Sequence, residues 1–278
     1  MNRILIILSA FVLLVSCQKD GCVETSEQSV LTYTVRAPFE FEIKSQSNGA
    51  GSQINALWYG VYHKKADGSF VYMSDMSAYV PVEDASGDIS VPITLFKDQE
   101  YKIIFVAQHI EAVASASGDV SNRYTYIVNE SGHMSLNPAA VITDGEQLDA
   151  FVYWEATGVI QNDYKKEIEL ERPLAQINIS TTAAVKPGSI DIAVSGTAGS
   201  YNIFEETYSQ ATANPMSFNG LSCNGASLAT VYVLPAGNSV GLDMTMYYGA
   251  GSEAVTKTLQ VQNVSVAPNY KTNVTGNI

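Results

Sequence analysis

Basic residues are scarce in this chain. Its 278 residues contain 15 Lys and Arg against 28 Asp and Glu, which gives a net charge of -13. A chain this acidic repels polyphosphate, and no cluster of Lys or Arg offsets the charge locally. The composition therefore disfavours nucleic acid as a partner. It favours a solvated, soluble surface over an acidic binding patch.

Motifs for catalysis and for metal binding are missing as well. The chain has only three histidines, His63, His109 and His133, and none lies two or four residues from another. The sequence contains no HExxH and no P-loop, and it has neither a GxSxG nor a GxGxxG between a strand and a helix. A pair of glycosidase carboxylates has no sequence signature, because only distance in space defines it. We therefore predict no enzyme, no metal site and no cofactor.

No apolar run is long enough to cross a bilayer. The longest, residues 4–15, follows Arg3 and is about half of the roughly 20 residues that a spanning helix needs. Its length and its basic flank predict a signal peptide over residues 1–16 that is removed from the mature chain.

Cysteine is rare, and the first of the three follows this leader directly. Leu14-Val15-Ser16-Cys17 is similar to the lipobox of bacterial lipoproteins. This resemblance implies a thioether to diacylglycerol at Cys17, and two or more acyl chains hold a protein in a membrane almost permanently, at about 0.8 kcal/mol per buried methylene. The alternative is a soluble secreted protein in which a cysteine follows the leader by chance.

The residues after Cys17 predict a tether and a sorting signal. Gln18-Lys19-Asp20 resembles the charged tag that sends lipoproteins of this bacterial group to the outer face of the outer membrane, with retention facing the periplasm as the alternative. Residues 17–27 are mostly polar and predict a lipidated tether. The two remaining cysteines, Cys22 and Cys223, could form a disulfide if the tether folds back.

Alternation of apolar and polar residues with a period of two is frequent in the sequence. Hydrophobic residues make up 46% of the chain and tyrosine occurs 16 times, and apolar and polar residues alternate through short segments bounded by turn signals. Hairpins are predicted for 54–63 with 70–73, for 91–95 with 101–108, for 166–180 with 190–194, and for 242–248 with 256–266. Residues 103–107 have no polar break and predict a strand buried on both faces. The best helical candidate is the short segment 144–150, while 130–146 and 196–220 are predicted to be largely irregular.

Length and pattern together predict two domains. A single sandwich usually takes about 100 to 150 residues, so 278 residues suffice for two. We place an N-terminal β-sandwich at 28–164 and a C-terminal one at 165–278, with 166–180 as the first long strand of the second. The predicted fold class is all-β, with two tandem antiparallel β-sandwiches.

Three phrases resemble fimbrillin-like proteins, the type V pilin superfamily of Bacteroidales-type bacteria. They are residues 171–178 (ERPLAQIN), 232–237 (YVLPAG) and 267–278 (APNYKTNVTGNI). The resemblance implies sandwiches of the transthyretin-like, Greek-key kind and a lipid-anchored surface subunit of the outer membrane. It also implies that other pilin subunits are partners through donor-strand exchange, and that the chain adheres to a host or bacterial surface ligand. Because Ile278 follows the closing strand closely, we expect an accessory, anchor or tip subunit rather than a shaft subunit.

The resemblance also draws attention to Arg36. In polymerising members of the family, a protease cuts after an early arginine, the first strand leaves, and a strand of another subunit fills the groove. The bond between Arg36 and Ala37 has the right residues, although the family's arginine usually lies later, where residues 44–51 contain none. The alternative is that Arg36 is a solvent-facing strand residue without this role.

A rival function comes from the aromatic residues. A free-standing surface lipoprotein could bind a glycan or a nutrient on a stacking platform made by Trp58, Tyr59, Tyr62 or Trp154. Aromatic side chains at strand spacing more often belong to a core.

Overall fold

The computed structural model describes residues 27–36, 53–82, 88–111, 123–249 and 255–277. These residues form strands and no α-helix, so the predicted all-β fold class is confirmed. The strands are β1 Gln28–Arg36, β2 Ala56–Lys64, β3 Phe70–Pro81, β4 Ile89–Phe96, β5 Glu100–Gln108, β6 Tyr126–Val128, β7 His133–Leu136, β8 Ala150–Val159, β9 Tyr164–Glu169, β10 Ala175–Thr181, β11 Ser189–Ser195, β12 Tyr201–Asn202, β13 Thr207–Tyr208, β14 Met216–Ser222, β15 Ser227–Val233, β16 Ser239–Tyr248, β17 Val255–Ser265 and β18 Lys271–Gly276.

The first sandwich packs a three-stranded sheet against a four-stranded one. Their orders are β4-β1-β9 and β3-β2-β5-β8. Inward side chains of both sheets, such as Leu31, Ile93 and Phe105, form one hydrophobic cluster. Alternation along each strand places the polar residues outside, as the pattern predicts.

The second sandwich repeats this plan with different strands. Its sheets have the orders β15-β10-β18 and β14-β11-β16-β17. Ile177 of β10, Ile192 of β11 and Met244 of β16 belong to its core cluster. Both sandwiches therefore combine a three-stranded and a four-stranded sheet.

A fifth sheet joins the two halves. Its order is β13-β12-β7-β6, and Tyr201 and Asn202 of β12 pair with Met134 and His133 of β7. This sheet covers the outer face of β5, so Ile104 and Val106 pack in the same cluster as the second core while Ile103 packs in the first. The prediction that residues 103–107 are buried on both faces is confirmed.

A buried ion pair lies at the junction of the halves. The guanidinium of Arg172 donates two hydrogen bonds to Asp149, of 2.7 and 2.8 Å, and a third of 3.1 Å to Asn269 Oδ1. The Arg172 guanidinium also lies 4.3 Å from the ring centre of Phe151. The predicted helical segment is confirmed as the 3-10 helix Gly145–Leu148, capped by the side chain of Asp144.

Two of the four predicted hairpins are wrong. β4 pairs with β1 while β5 pairs with β2 and β8, so the turn at 97–99 carries the chain from one sheet to the other. β10 and β11 likewise lie in opposite sheets. The hairpins β2-β3 and β16-β17 are confirmed.

The prediction of one long strand over residues 166–180 is also wrong. It is β9 followed by β10, with Pro173 between them, and β9 pairs in parallel with β1 of the first sandwich. Pro173 lacks the N–H that a continuing ladder needs. The segment 130–146 contains β7, and 196–220 contains β12, β13 and most of β14, so neither is wholly irregular. The division of the chain at 164 and 165 stays a prediction.

Candidate functional site

The candidate site is the β1 slot, defined as the space between β4 and β9 that β1 fills. Residues 28–35 of β1 pair with β4 in antiparallel register, and residues 31–36 pair with β9 in parallel register. β1 is therefore a central strand with hydrogen-bonding partners on both edges. Two sequence-distant strands define this slot, and β1 alone separates them.

Alternation along β1 buries one of its faces. Leu31, Tyr33 and Val35 are fully buried in the first core, whereas Thr32 and Thr34 are half-buried on the other face. Burying a large apolar side chain contributes about 1.5–3 kcal/mol. These three side chains thus supply most of the apolar contact between β1 and the body of the sandwich.

Tyr33 adds a polar contact at the centre of the slot. Its hydroxyl donates to Glu155 Oε1 at 2.5 Å and lies 2.8 Å from the hydroxyl of Tyr164. Burial raises the pKa of Tyr33, and the hydrogen bond to Glu155 raises it further. Glu155 also forms an ion pair with Lys166 of β9. Tyr33 is thereby tied to β8 and β9.

Arg36 ends β1 on the exposed rim of the slot. Its guanidinium lies 2.8 Å from Asp88 and 3.2 Å from Glu167, and its side chain is 52% exposed. The carbonyl of Arg36 accepts a hydrogen bond of 2.9 Å from Leu170 N. The side chain is accessible, but the carbonyl of the bond to Ala37 is held by the adjacent chain segment.

The remaining predicted site residues divide into two groups. Cys17, Cys22 and Ala37 lie outside the described residues, so lipidation, the disulfide and the cleavage product stay predictions. Cys223 is half-buried, and burial raises the pKa of its thiol.

The four aromatic residues of the rival platform do not form one surface. Tyr62 is buried in the core cluster, and Trp58, Tyr59 and Trp154 are half-buried. The ammonium of Lys102 lies 5.2 Å from the ring centre of Trp154 and covers that ring. Trp154 also donates its indole N–H to Glu206 at 3.2 Å. The indole of Trp154 is therefore engaged by neighbouring side chains of the same chain.

Sequence reasoning missed the polar contacts of the slot. Glu155 and Tyr164 lie 122 and 131 residues from Tyr33, and no spacing rule connects residues so far apart. A tyrosine in an otherwise aliphatic strand face was the one signal, since a buried hydroxyl needs a partner.

Neither a metal-binding cluster nor a membrane-spanning helix occurs in the part of the chain that the structure describes. Within the described ranges, no three His, Cys, Asp or Glu side chains lie close enough to hold a metal ion. The same ranges contain no helix with the length and hydropathy needed to span a bilayer.

The fold and the slot define an all-β protein of two sandwiches whose first strand is central. Residues 25–278 match a family model, and the chain belongs to this family of unknown function, DUF6562. No curated protein matches the sequence.

Solved structures with a similar fold come from Bacteroides and related bacteria. A protein of Bacteroides ovatus, provisionally described as an adhesin, is 9% identical with a TM-score of 0.48, and the match covers 94% of this chain and 95% of that one. A provisionally described cell adhesion protein of Bacteroides fragilis is 10% identical with a TM-score of 0.49, covering 89% and 92%. A fimbrial assembly protein of Parabacteroides distasonis is 14% identical with a TM-score of 0.41, covering 90% of each chain.

Proposed function

We propose that this chain is a fimbrillin-like subunit of the cell surface, held at the outer membrane by a lipid on Cys17. It assembles with other pilin subunits by exchange of β1 for a strand of the partner, and it adheres to a host or bacterial surface ligand without catalysis. The resemblance of residues 171–178, 232–237 and 267–278 to fimbrillin-like proteins supports this proposal.

The observation that carries the proposal is the central place of β1. Because β1 pairs with β4 on one side and β9 on the other, its departure exposes two rows of unpaired backbone groups. It also uncovers the core positions filled by Leu31, Tyr33 and Val35. An incoming strand with apolar residues at alternate positions satisfies both needs, through main-chain hydrogen bonds and through side-chain pockets.

Cleavage after Arg36 makes this exchange topologically simple. The tether precedes β1 and β1 ends at Arg36, so one cut after Arg36 separates residues 17–36 from the rest of the chain. After the cut, β1 is held by non-covalent contacts: its hydrogen bonds, the burial of its inward face and the ion pairs of Arg36. A partner strand then competes with β1 only through the contacts that each strand makes in the slot. The lipid on Cys17 leaves together with β1.

The experiment measures cleavage and replacement separately. Residues 18–278 are digested with an arginine-specific endoprotease and incubated with an excess of labelled peptide of the sequence of residues 27–36. We expect mass spectrometry to find a body beginning at Ala37 and the labelled peptide bound to it after separation by size. A peptide with serine at the positions of Leu31, Tyr33 and Val35 should not bind, because it buries no apolar face.

Two arginine variants control the cut. Arg36→Gln removes the proposed cleavage site and should keep β1 covalently attached. Arg123→Gln removes another arginine, which lies between β5 and β6 in the chain, and should leave release of β1 unchanged. Release of β1 from Arg36→Gln, or equal binding of the serine peptide, would contradict the proposal.

A further inference from the structure

A polar groove crosses the outer face of the β15-β10-β18 sheet. Since Ile177 and Ile179 of β10 fill the second core, the alternate residues Gln176, Asn178 and Ser180 face the other side of the sheet. The strand register aligns these residues with polar residues of both neighbours. The outward set is Gln176, Asn178, Ser180, Thr230, Asn273 and Thr275.

The 3-10 helix forms one wall of this groove. Gly145 packs so closely on β15 that a Cβ there would lie 1.5 Å from the carbonyl oxygen of Thr230. This approach carries Glu146 over the sheet, where the hydroxyl of Tyr232 donates to its carboxylate at 2.8 Å. The resulting groove has a volume of about 470 Å³.

The hydrogen bonds inside the groove leave one buried acceptor unused. Asn178 Oδ1 accepts from Gln176 Nε2 and from Thr230 Oγ1, each at 3.1 Å, and Asn178 Nδ2 donates to Asn273 Oδ1 at 3.2 Å. The amide oxygen of Gln176, a residue only 2% exposed, has no hydrogen-bond partner. A buried acceptor without a donor destabilises the folded chain, so a ligand that supplies a donor here relieves this cost.

The lining indicates the chemistry of that ligand. Carboxamides and hydroxyls dominate, and the single carboxylate, Glu146, is balanced by the single ammonium, Lys271. A balanced lining gives little attraction for an anion, and one carboxylate is a poor site for a divalent cation. A sugar hydroxyl donates and accepts at once, which suits amide oxygens and hydroxyls placed side by side.

We propose that this groove binds a neutral saccharide, with the amide oxygen of Gln176 and the carboxylate of Glu146 accepting hydrogen bonds from its hydroxyls. Asn273 and Thr275 hold the sugar from the exposed side of the groove. The site lies on the second sandwich and includes no residue of β1, so it is independent of strand exchange.

The test uses residues 18–278 and saturation-transfer NMR. The probes are the methyl glycosides of glucose, galactose, mannose, fucose and N-acetylglucosamine, with CaCl2 as a separate probe. We expect at least one glycoside to bind, and we expect Asn273→Ala and Thr275→Ala to weaken it by roughly tenfold each, the loss of about one hydrogen bond. Both positions are exposed, so neither variant should fail to fold.

Thr256→Ala is the matched control, because Thr256 is an exposed threonine of β17 outside the groove. This variant should bind the glycoside as the unmodified chain does. The proposal is overturned if no glycoside binds, if Asn273→Ala and Thr275→Ala bind unchanged, or if only Ca²⁺ binds. None of these results affects the cleavage and peptide-binding test of the β1 slot.

Discussion

Arg172 and Asp149 show how one buried contact fixes the junction between the sandwiches. Their side chains are 1% and 0% exposed, and two hydrogen bonds join them. Two charges taken out of water are stabilised only by each other and by their remaining hydrogen bonds. Removing one partner therefore leaves the other charge buried without compensation.

Asp149→Asn should lower the free energy of unfolding by about 3–5 kcal/mol, because the Arg172 cation loses its buried counter-charge. Urea unfolding monitored by tryptophan fluorescence measures the change. Glu100→Gln is the control, since it breaks the surface pair with Lys64 and should cost at most about 1 kcal/mol. Equal losses of unfolding free energy in the two variants would show that burial does not determine how much an ion pair stabilises this chain.

Gly145 allows the 3-10 helix to touch β15. Gly145→Ala should destabilise the chain by about 1–3 kcal/mol, because the new methyl group must push the helix away from the Thr230 carbonyl. Gly237→Ala is the control, since nothing lies within 4 Å of a Cβ there. Thermal unfolding of both variants checks the expectation, and an unchanged melting temperature for Gly145→Ala would refute it.

Sequence reasoning reached some residues and not others. The phrase 171–178 singled out Arg172, but nothing in the sequence connected it to Asp149, which lies 23 residues earlier. Gly145 lay within the segment predicted to be helical, yet its need for close contact depends on β15, a strand more than 80 residues later. Contacts of this kind exist only after the chain folds.

At the scale of the element, alternation predicted strands better than it predicted their partners. A period of two tells which face of a strand is buried. It does not tell whether a short turn returns the chain in the same sheet or carries it to the opposite sheet. The Asp-Gly turn before Phe70 is a hairpin signal, whereas the turn at 97–99 lies between β4 and β5 of opposite sheets.

The alternation of apolar and polar residues could not predict the fifth sheet, because the strands of this sheet are short. β12 and β13 have two residues each, too few to show alternation. Phe204 follows β12 and contacts the first half. Its ring centre lies 4.9 Å from that of Tyr62 and 5.6 Å from that of Trp154, and 4.5 Å from the ammonium of Lys102.

Phe204→Ala should loosen this sheet more than it loosens either sandwich. We expect a loss of about 2–4 kcal/mol from the removed ring contacts. Hydrogen exchange should speed up at β7 and β12 before it does so at β5. Tyr270→Ala, which removes a ring that is 70% exposed, is the control and should change neither quantity. Unchanged exchange at β7 in Phe204→Ala would contradict the role of this residue.

At the scale of the whole molecule, buried tyrosines make stability depend on alkaline pH. Burial raises the pKa of several tyrosines, and in Tyr201 it raises the pKa to about 12. The folded chain therefore keeps these phenols protonated at a pH where the unfolded chain, with an ordinary pKa near 10, has released them. The others with strongly raised pKa values are Tyr33, Tyr62, Tyr126, Tyr208 and Tyr232.

The stability that these tyrosines supply is fully present below about pH 10 and is lost as the pH rises above it. Above about pH 10, a phenol can be protonated in the folded chain and ionised in the unfolded chain. Each such phenol lowers the free energy of unfolding by about 1.4 kcal/mol per pH unit. We expect a steep cooperative unfolding above pH 10, in which phenolate absorbance and loss of circular dichroism occur together. Gradual ionisation of all tyrosines in a chain that stays folded would contradict this expectation.

The two sandwiches could be predicted from length and alternation, but their connection could not. One hydrophobic cluster runs from Tyr62 and Val106 of the first half to Met244 of the second. β9 follows β8, the last strand of the first four-stranded sheet in the sequence. It pairs in parallel with β1, at the start of the first sandwich. The pattern locates such a strand but carries no information about its parallel partner.

In the proposed assembly, β1 leaves its slot and a strand of another subunit replaces it. The most direct measurement is the amino-terminal sequence of material isolated from the cell surface, read together with its mobility on gels before and after boiling. We predict bodies beginning at Ala37 in a ladder that resists denaturant, and loss of the ladder in Arg36→Gln. A single monomer that begins at an acylated Cys17 would contradict the claim.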